Sequence, residues 1–324
     1  MRVRRLPALV AAVGLVGLGL VGCASAQPSG GACEREVSPD SAFAELVSVE
    51  GDLGEMPELE AYTPVQTDST MWADVLTGEG TAIRTDDQLV VFDLAVFDGE
   101  SGEQLVSTPF DGTLDAAPLT QWTGIFPTLE QSLACAREGG RVVSVIPSGD
   151  LDEQTAEGLG LAPGATAIVV TDLRKVYLDK ADGDDQFVTG HGMPSVVRAP
   201  DGRPGIIVPD TAPPSDLQVQ VLKKGRGEIV TGDAPVRVAY TGVLWDDRTV
   251  FDSTWDEGKT PASFELDQVV EGFGQALEGQ TVGSQVLIVI PPELGYGDDD
   301  AGSIPGGSTL VFVVDILGID APAG

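Results

Sequence analysis

The sequence predicts an α+β protein in which an antiparallel sheet wraps around one short helix, and in which that unit occurs twice. In Val238-Ala239-Tyr240-Thr241-Gly242, Val250-Phe251-Asp252-Ser253-Thr254 and Thr309-Leu310-Val311-Phe312-Val313-Val314, apolar and aromatic residues alternate with polar ones through most of each block. That is the period of strands with one buried face. Val269, Val270, Phe273 and Leu277 interrupt this pattern at helical spacing, so a short helix over Val269–Leu277 lies within the run of strands. The order of elements then repeats. An offset of 144 places Ile125-Phe126 on Val269-Val270, Leu129 on Phe273, Leu133 on Leu277 and Ile146-Pro147 on Ile290-Pro291, and an offset of 143 puts Val169 on Phe312.

Taken in order, residues 1–22 read as a leader. Arg2, Arg4 and Arg5 precede the uncharged apolar run Leu6–Val21, which falls short of the roughly 20 apolar residues of a comfortable membrane span. The run closes in Leu20-Val21-Gly22-Cys23, which resembles a bacterial lipobox and predicts cleavage before a lipid-modified Cys23. The expected location is therefore the cell membrane, lipid-anchored on the extracytoplasmic face. Residues 23–42 are small and polar and read as a tether. Cys33 and Cys135 are then an even pair in an exported chain, where disulfides persist; two unrelated thiols are the alternative.

Residues 43–178 form a first domain. Leu89–Phe97 and Thr166–Val176 read as strands, Arg141–Ile146 as a strand stopped by Pro147, and Ile125–Ala136 as one helix. Residues 179–216, rich in Gly, Pro and Asp, have the composition of a linker, with Gly205–Pro209 as a short strand at the edge of the second domain. The acidic run Asp179–Asp185 lacks the alternate-position ligands and distal Glu of a calcium loop and reads as a solvated loop. Residues 217–324 form the second domain.

Composition narrows the chemistry. Against 51 Asp+Glu stand 18 Lys+Arg, for a net charge of −33, so nucleic acid and anionic lipid headgroups are not expected partners. His191 is the sole histidine and sits in the linker. No Ser-His-Asp or Cys-His arrangement, zinc cluster, dinucleotide fingerprint or phosphate-binding loop can be assembled. What remains is an aromatic set in the second domain: Tyr240, Phe251, Phe273, Tyr296 and Phe312, with Asp252 beside Phe251. The pattern alone fits either a binding hollow or an ordinary aromatic core with Asp252 as a turn former.

In order, Tyr240-Thr241-Gly242, Phe251-Asp252-Ser253, Val269-Val270-x-Gly272-Phe273, Gly279-x-x-x-Gly283, Ile290-Pro291-Pro292, Tyr296-Gly297, Ile304-Pro305 and Leu310-Val311-Phe312 resemble an FKBP-type peptidyl-prolyl cis-trans isomerase domain over 217–319. The resemblance implies a pocket of Tyr240, Phe251, Asp252, Val269, Val270, Phe273, Tyr296, Ile304 and Phe312. Phe273 would floor it, Phe251 and Phe312 would wall it, and Tyr240 would hydrogen-bond Asp252. The resemblance further implies non-covalent catalysis without a cofactor, proline-containing exported polypeptides as substrates, and macrolides as inhibitors. The alternative under the same resemblance is a chaperone or binding scaffold with negligible isomerase activity. The sequence departs from the family pattern in three places: Phe273 replaces a tryptophan floor, Ala262 or a neighbour replaces a pocket-edge aromatic, and Asp298–Ser303 is polar and acidic. In the first copy Phe92 is expected at the place of Tyr240, Leu105-Val106 at Phe251-Asp252, Leu129 at Phe273 and Val169 at Phe312. With Ser148–Glu153 in place of the segment bearing Tyr296, that copy reads as degenerate and inactive, used for spacing, dimerisation or client contact.

Overall fold

A computed structural model describes residues 33–35, 47–187, 190 and 192–321. The leader, Cys23, most of the tether and His191 lie outside the described residues. The first described elements are a hairpin of β1 (Val47–Glu50) and β2 (Glu58–Ala61). The first sheet follows, built from β3 (Met71–Leu76), β4 (Leu89–Asp98), β5 (Gln104–Ser107), β6 (Ala117–Pro118), β7 (Arg141–Pro147) and β8 (Thr166–Val176). Next come β9 (Asp184–Asp185) and a second hairpin, β10 (Ser195–Arg198) with β11 (Pro204–Ile207). The second sheet contains β12 (Gln218–Lys224), β13 (Val236–Leu244), β14 (Val250–Ser253), β15 (Ala262–Phe264), β16 (Gln285–Ile290) and β17 (Leu310–Ile319), with β9 on its outer edge.

The two sheets have the same plan. The first runs β3-β7-β8-β4-β5 with β6 also on β4, and the second runs β12-β16-β17-β13-β14 with β15 also on β13. Every pairing within them is antiparallel. Each sheet packs its inner face on a short helix. Leu129 and Leu133 of α2 (Thr128–Leu133) and Phe273 and Leu277 of α4 (Glu271–Leu277) are buried there. Withdrawing such a side chain from water contributes roughly 1.5–3 kcal/mol.

Both faces of each sheet are buried, which corrects the expectation of strands with one buried face: the long strands bury both alternating sets of side chains. On β4 the inward set is Val90, Phe92, Leu94 and Val96, while Ala95 and Phe97 face the opposite side. The β1–β2 hairpin covers that outer face through Val47, Val49 and Leu59. The β10–β11 hairpin does the same for the second sheet, setting Val196 and Ile206 against Leu287, Val311 and Val313.

This corrects the reading of residues 179–216. Gly205–Pro209 does not form an edge strand of the second sheet: Pro204–Ile207 pairs with Ser195–Arg198, and the edge is taken by Asp184 and Asp185 opposite Lys224 and Lys223. The segment is therefore a packed cover repeating the one before the first sheet, and its Pro and Gly residues mark hairpin turns. A second correction concerns Ile125–Ala136, which is not one helix. α1 (Leu119–Thr123) and α2 are separated at Gly124–Pro127, and Ile125 is exposed. Pro127 lacks the N–H that would continue the ladder, so it ends one turn and starts the next. Likewise α4 begins at Glu271, with Val270 as its N-cap in extended backbone and Val269 before it.

Polar groups buried between sheet and hairpin tie these layers together. In the first copy Arg141 donates to both carboxylate oxygens of Asp172, at 2.6 and 2.8 Å, and to the carbonyls of Gly51 and Asp52. Gly54 N–H also donates to Asp172, at 2.7 Å. In the second copy Gln285 donates to Asp315 at 2.6 Å, Ala181 N–H donates to the same carboxylate at 2.8 Å, and Arg198 of β10 donates to Gln285. The Cys33 and Cys135 side chains meet at the edge of the first copy, with Cα atoms 5.5 Å apart. Cys135 adopts φ +61°, the left-handed conformation that the second copy gives to Gly279 at the end of α4.

Candidate active site

The second sheet, α4 and the loop after β16 enclose a hollow of about 660 Å³. Phe273 projects from α4 at its base, 4% exposed. That placement depends on glycines on either side. A Cβ on Gly272 would lie 2.6 Å from the Ile290 side chain, and one on Gly274 would lie 2.6 Å from the Leu266 carbonyl, so the helix reaches the sheet only without them. Phe312 of β17 stands edge-on to Phe273 with centroids 5.1 Å apart, and Phe251 of β14 stands edge-on to Phe312 at 5.4 Å. Tyr240 of β13 closes the set at 6.4 Å from Phe273 and 6.1 Å from Phe312. Such tilted and edge-to-face contacts suit the ring quadrupoles.

The polar side of the hollow is one carboxylate. Tyr240 Oη donates a short hydrogen bond to Asp252 Oδ2; Lys259 Nζ, at 2.7 Å, and Ser253 N–H, at 3.0 Å, donate to Oδ1. Burial pushes the Asp252 carboxyl up, but the hydrogen bonds from Lys259 and Tyr240 and the lysine charge outweigh it, and the net displacement is downward. Asp252 therefore stays ionised at neutral pH. Burial first, and the bond to Asp252 second, push the Tyr240 phenol up, so it stays protonated and remains a donor.

Every residue predicted for the pocket lines this one hollow: Tyr240, Phe251, Asp252, Val269, Val270, Phe273, Tyr296, Ile304 and Phe312. Tyr296 is the most open of the aromatics, at 44% exposed, and Ile304 stands on the opposite arm of its loop. Besides Ala301, Gly302 and Ser303 of the loop noted above as polar, two lining residues escaped the sequence reading. Phe264 of β15 lies 5.8 Å from both Tyr240 and Phe273, so an aromatic does stand at this wall two residues beyond Ala262. The alternation Ala262-Ser263-Phe264 was the available signal. Gln268, just before α4, is the other. Lys259 was missed too, because nothing in its local pattern ties it to a carboxylate on the preceding strand.

The first copy has no such hollow, and the ladder registers show why. Gly242 pairs with both Asp252 and Phe312, as Val96 pairs with both Val106 and Val169. Two residues earlier on these strands, Leu94 matches Tyr240: Leu94 N–H donates to Thr108 Oγ1 at 3.0 Å, as Tyr240 N–H donates to Thr254 Oγ1 at 2.8 Å. The expectation that Phe92 takes the place of Tyr240 is therefore wrong. The bulge at Val91/Phe92 is matched by the one at Arg237/Val238, so Phe92, paired with Leu173, is the counterpart of Val238, paired with Ile316. Phe92 packs on Trp122 of α1, with centroids 4.7 Å apart and the rings tilted by 50°, and the indole lies against the inner core. α3 (Glu153–Gly158), capped by Asp152, takes the place of the open loop carrying Tyr296 and packs Ala156 onto the same core.

A family model described as FKBP-type peptidyl-prolyl cis-trans isomerase matches residues 226–317. The chain is 36% identical over 121 residues to the FK506-binding protein of Streptomyces anulatus, covering 97% of that protein and 36% of this one. It is 44% identical over 109 residues to the FKBP-type peptidyl-prolyl cis-trans isomerase FkpA of Aeromonas hydrophila. There the match spans 34% of this chain and only 40% of the relative. Among solved structures, FkpA from Escherichia coli shares 35% identity over 40% of this chain and 53% of its own, with a TM-score of 0.31. The chain belongs to the FKBP-type peptidyl-prolyl cis-trans isomerase family, and the matched residues are those that build the aromatic hollow.

Proposed function

We propose that the protein is a lipid-anchored peptidyl-prolyl cis-trans isomerase that acts on proline-containing exported polypeptides through its C-terminal copy. The observation that carries this reading is the hollow itself: Phe273 at its base, five further aromatics around it, and a single carboxylate held by Tyr240 and Lys259. Rotation about an X–Pro bond faces a barrier of about 18–20 kcal/mol because resonance makes the amide planar and polar. Water stabilises that planar form. Aromatic walls exclude it and favour the twisted, less polar amide, a role that needs no proton transfer. The Val270 N–H, in the extended residue that caps α4, and the Tyr296 hydroxyl would hold the peptide on either side of the rotating bond. Macrolides of the kind named for the Streptomyces relative are the expected inhibitors of the same hollow.

The first copy is read as a degenerate FKBP-like domain that retained the sheet plan and lost the hollow. Anchoring through Cys23 rests on the lipobox-like Leu20–Cys23, and a Cys33–Cys135 disulfide rests on export and on the closeness of the two side chains. Among the described residues no helix is long and apolar enough to cross a membrane.

The test is an isomerisation assay on X–Pro tetrapeptides with the full chain. Wild type is expected to accelerate the exchange, and Phe273→Ala to lose most of that rate while the fold persists. An unchanged Phe273→Ala rate would remove the hollow from consideration as the site. Cys23→Ser is expected to move the protein from the membrane to the soluble fraction, since firm retention requires more than one acyl chain. Retention of that variant after washing would refute the anchor.

A further inference from the structure

The loop that follows the site carboxylate has a second face. Residues 254–261 line a cleft of about 560 Å³, and its opposite wall is formed by first-copy residues that include Asp87 and Leu89. Lys259 belongs to this cleft and Asp252 to the aromatic hollow, so one ion pair with a 2.7 Å separation divides the two cavities. An extended residue spans about 3.3–3.6 Å, so a polypeptide leaving the hollow over that pair enters the cleft within a few residues.

Resting on the isomerase reading, we infer that this cleft is a second client subsite, taking a cationic stretch of the same polypeptide close to the isomerised proline. Its walls mix apolar surface, from Leu89, Leu178 and Trp255, with an excess of carboxylates. The lining cations Lys180 and Lys259 are paired, with Asp179 and Asp252, while Asp256 is paired with Arg203. Asp87 and Glu257 stand exposed on facing walls, and neither forms an ion pair among the described residues. Lysine and arginine side chains suit this combination, because their stems lie along apolar walls while their heads reach the carboxylates. Charge complementarity of this kind sets partner choice and encounter rate. The subsite also gives the first copy a part in substrate choice.

The test uses the full chain and two fluorescein-labelled peptides. Both carry one proline and differ only in having lysines or glutamates a few residues away. Binding is read by anisotropy at low and at moderate salt, and isomerisation is read separately on an unlabelled tetrapeptide too short to leave the hollow. The lysine peptide is expected to bind about tenfold more tightly than the glutamate peptide at low salt, with the gap narrowing as salt screens it. Asp87→Lys/Glu257→Lys is expected to abolish the preference and leave the tetrapeptide rate unchanged. Equal binding of the two peptides, or a preference that survives the double charge reversal, overturns the subsite. Failure of wild type to accelerate the tetrapeptide sinks the isomerase reading instead, and a lysine preference seen in that case upholds the cleft as a binding site.

Discussion

The two copies share a strand order and differ at almost every position that makes a hollow. Gly242 shows how. A Cβ there would lie 2.4 Å from the Phe251 ring and 3.0 Å from Phe312, so the absent side chain is what admits Phe251 to the wall. The first copy has Val96 at this register, and Leu105, at the place of Phe251, is 36% exposed. Leu94 in place of Tyr240 removes the phenol, and Val106 in place of Asp252 removes its acceptor. Trp122 and α3 then occupy or cover what remains. A sheet wrapped on a helix is stable with its inner space full; an open aromatic hollow needs a glycine, a paired carboxylate and a loop that stays off. The scaffold makes weaker demands on the sequence than the hollow does.

The buried polar pairs separate the copies more sharply, and they yield the largest expected effect. Arg141 and Asp172 are 4% and 0% exposed, and Arg141 also satisfies two carbonyls of the covering hairpin. Arg141→Met strands a buried carboxylate and is expected to cost about 3–5 kcal/mol in denaturant unfolding of the first copy. Gln285→Leu, at the matching place in the second copy, removes a neutral donor and is expected to cost about 1–3 kcal/mol. Equal losses would show that the two pairs are energetically alike despite the exchanged arginine.

The next comparison can be broken by a single graft. Gly242→Val gives the second copy the side chain of the first, and the clash with Phe251 is expected to turn that ring out of the wall. The rate on X–Pro peptides should fall at least about tenfold, the loss of roughly 1.4 kcal/mol of transition-state stabilisation. Unfolding stability should fall much less, since Val is at home in a strand. A Gly242→Val protein of normal rate would mean that Phe251 is not part of the working site.

How much of this was legible in the sequence follows from the range of the interactions. The pocket residues sit in locally patterned blocks whose order is itself informative, and all of them converge in one place. Whatever depends on register was hidden. Phe92 looks like the counterpart of Tyr240 until the strand registers set Val96 at the place of Gly242, and the Thr108 bond then agrees in placing Leu94 at Tyr240. The covering hairpin over 195–207 was hidden by its own turns, because Pro and Gly mark a hairpin and a linker alike. Arg141–Asp172 and Gln285–Asp315 join residues on adjacent strands, and nothing local to either residue announces the partner.

The smallest effect concerns the exchange of arginine for glutamine seen from the carboxylate. Asp315 has no cation against it, and burial pushes its carboxyl up to about 6 although Ala181 N–H and the Gln285 amide pull the other way. The charges of Arg198 and Lys223 also pull it down, though neither forms an ion pair with Asp315 among the described residues. With the folded value above the ordinary 3.8, the native state binds more protons than the unfolded chain between those limits. The contribution is fully present below about pH 3.8 and is lost as pH rises through about 6. Lowering the pH from 7 to 5 is therefore expected to stabilise the second copy by about 1 kcal/mol. Asp182 is raised by burial as well and adds in the same direction, so the wild-type slope alone does not isolate Asp315. Asp315→Asn does, since it keeps an acceptor for Ala181 and removes the titration. The difference between the two unfolding curves should open between pH 7 and pH 5. Parallel curves would mean that Asp315 feels a cation after all, and that the two copies hold their buried carboxylates in the same way.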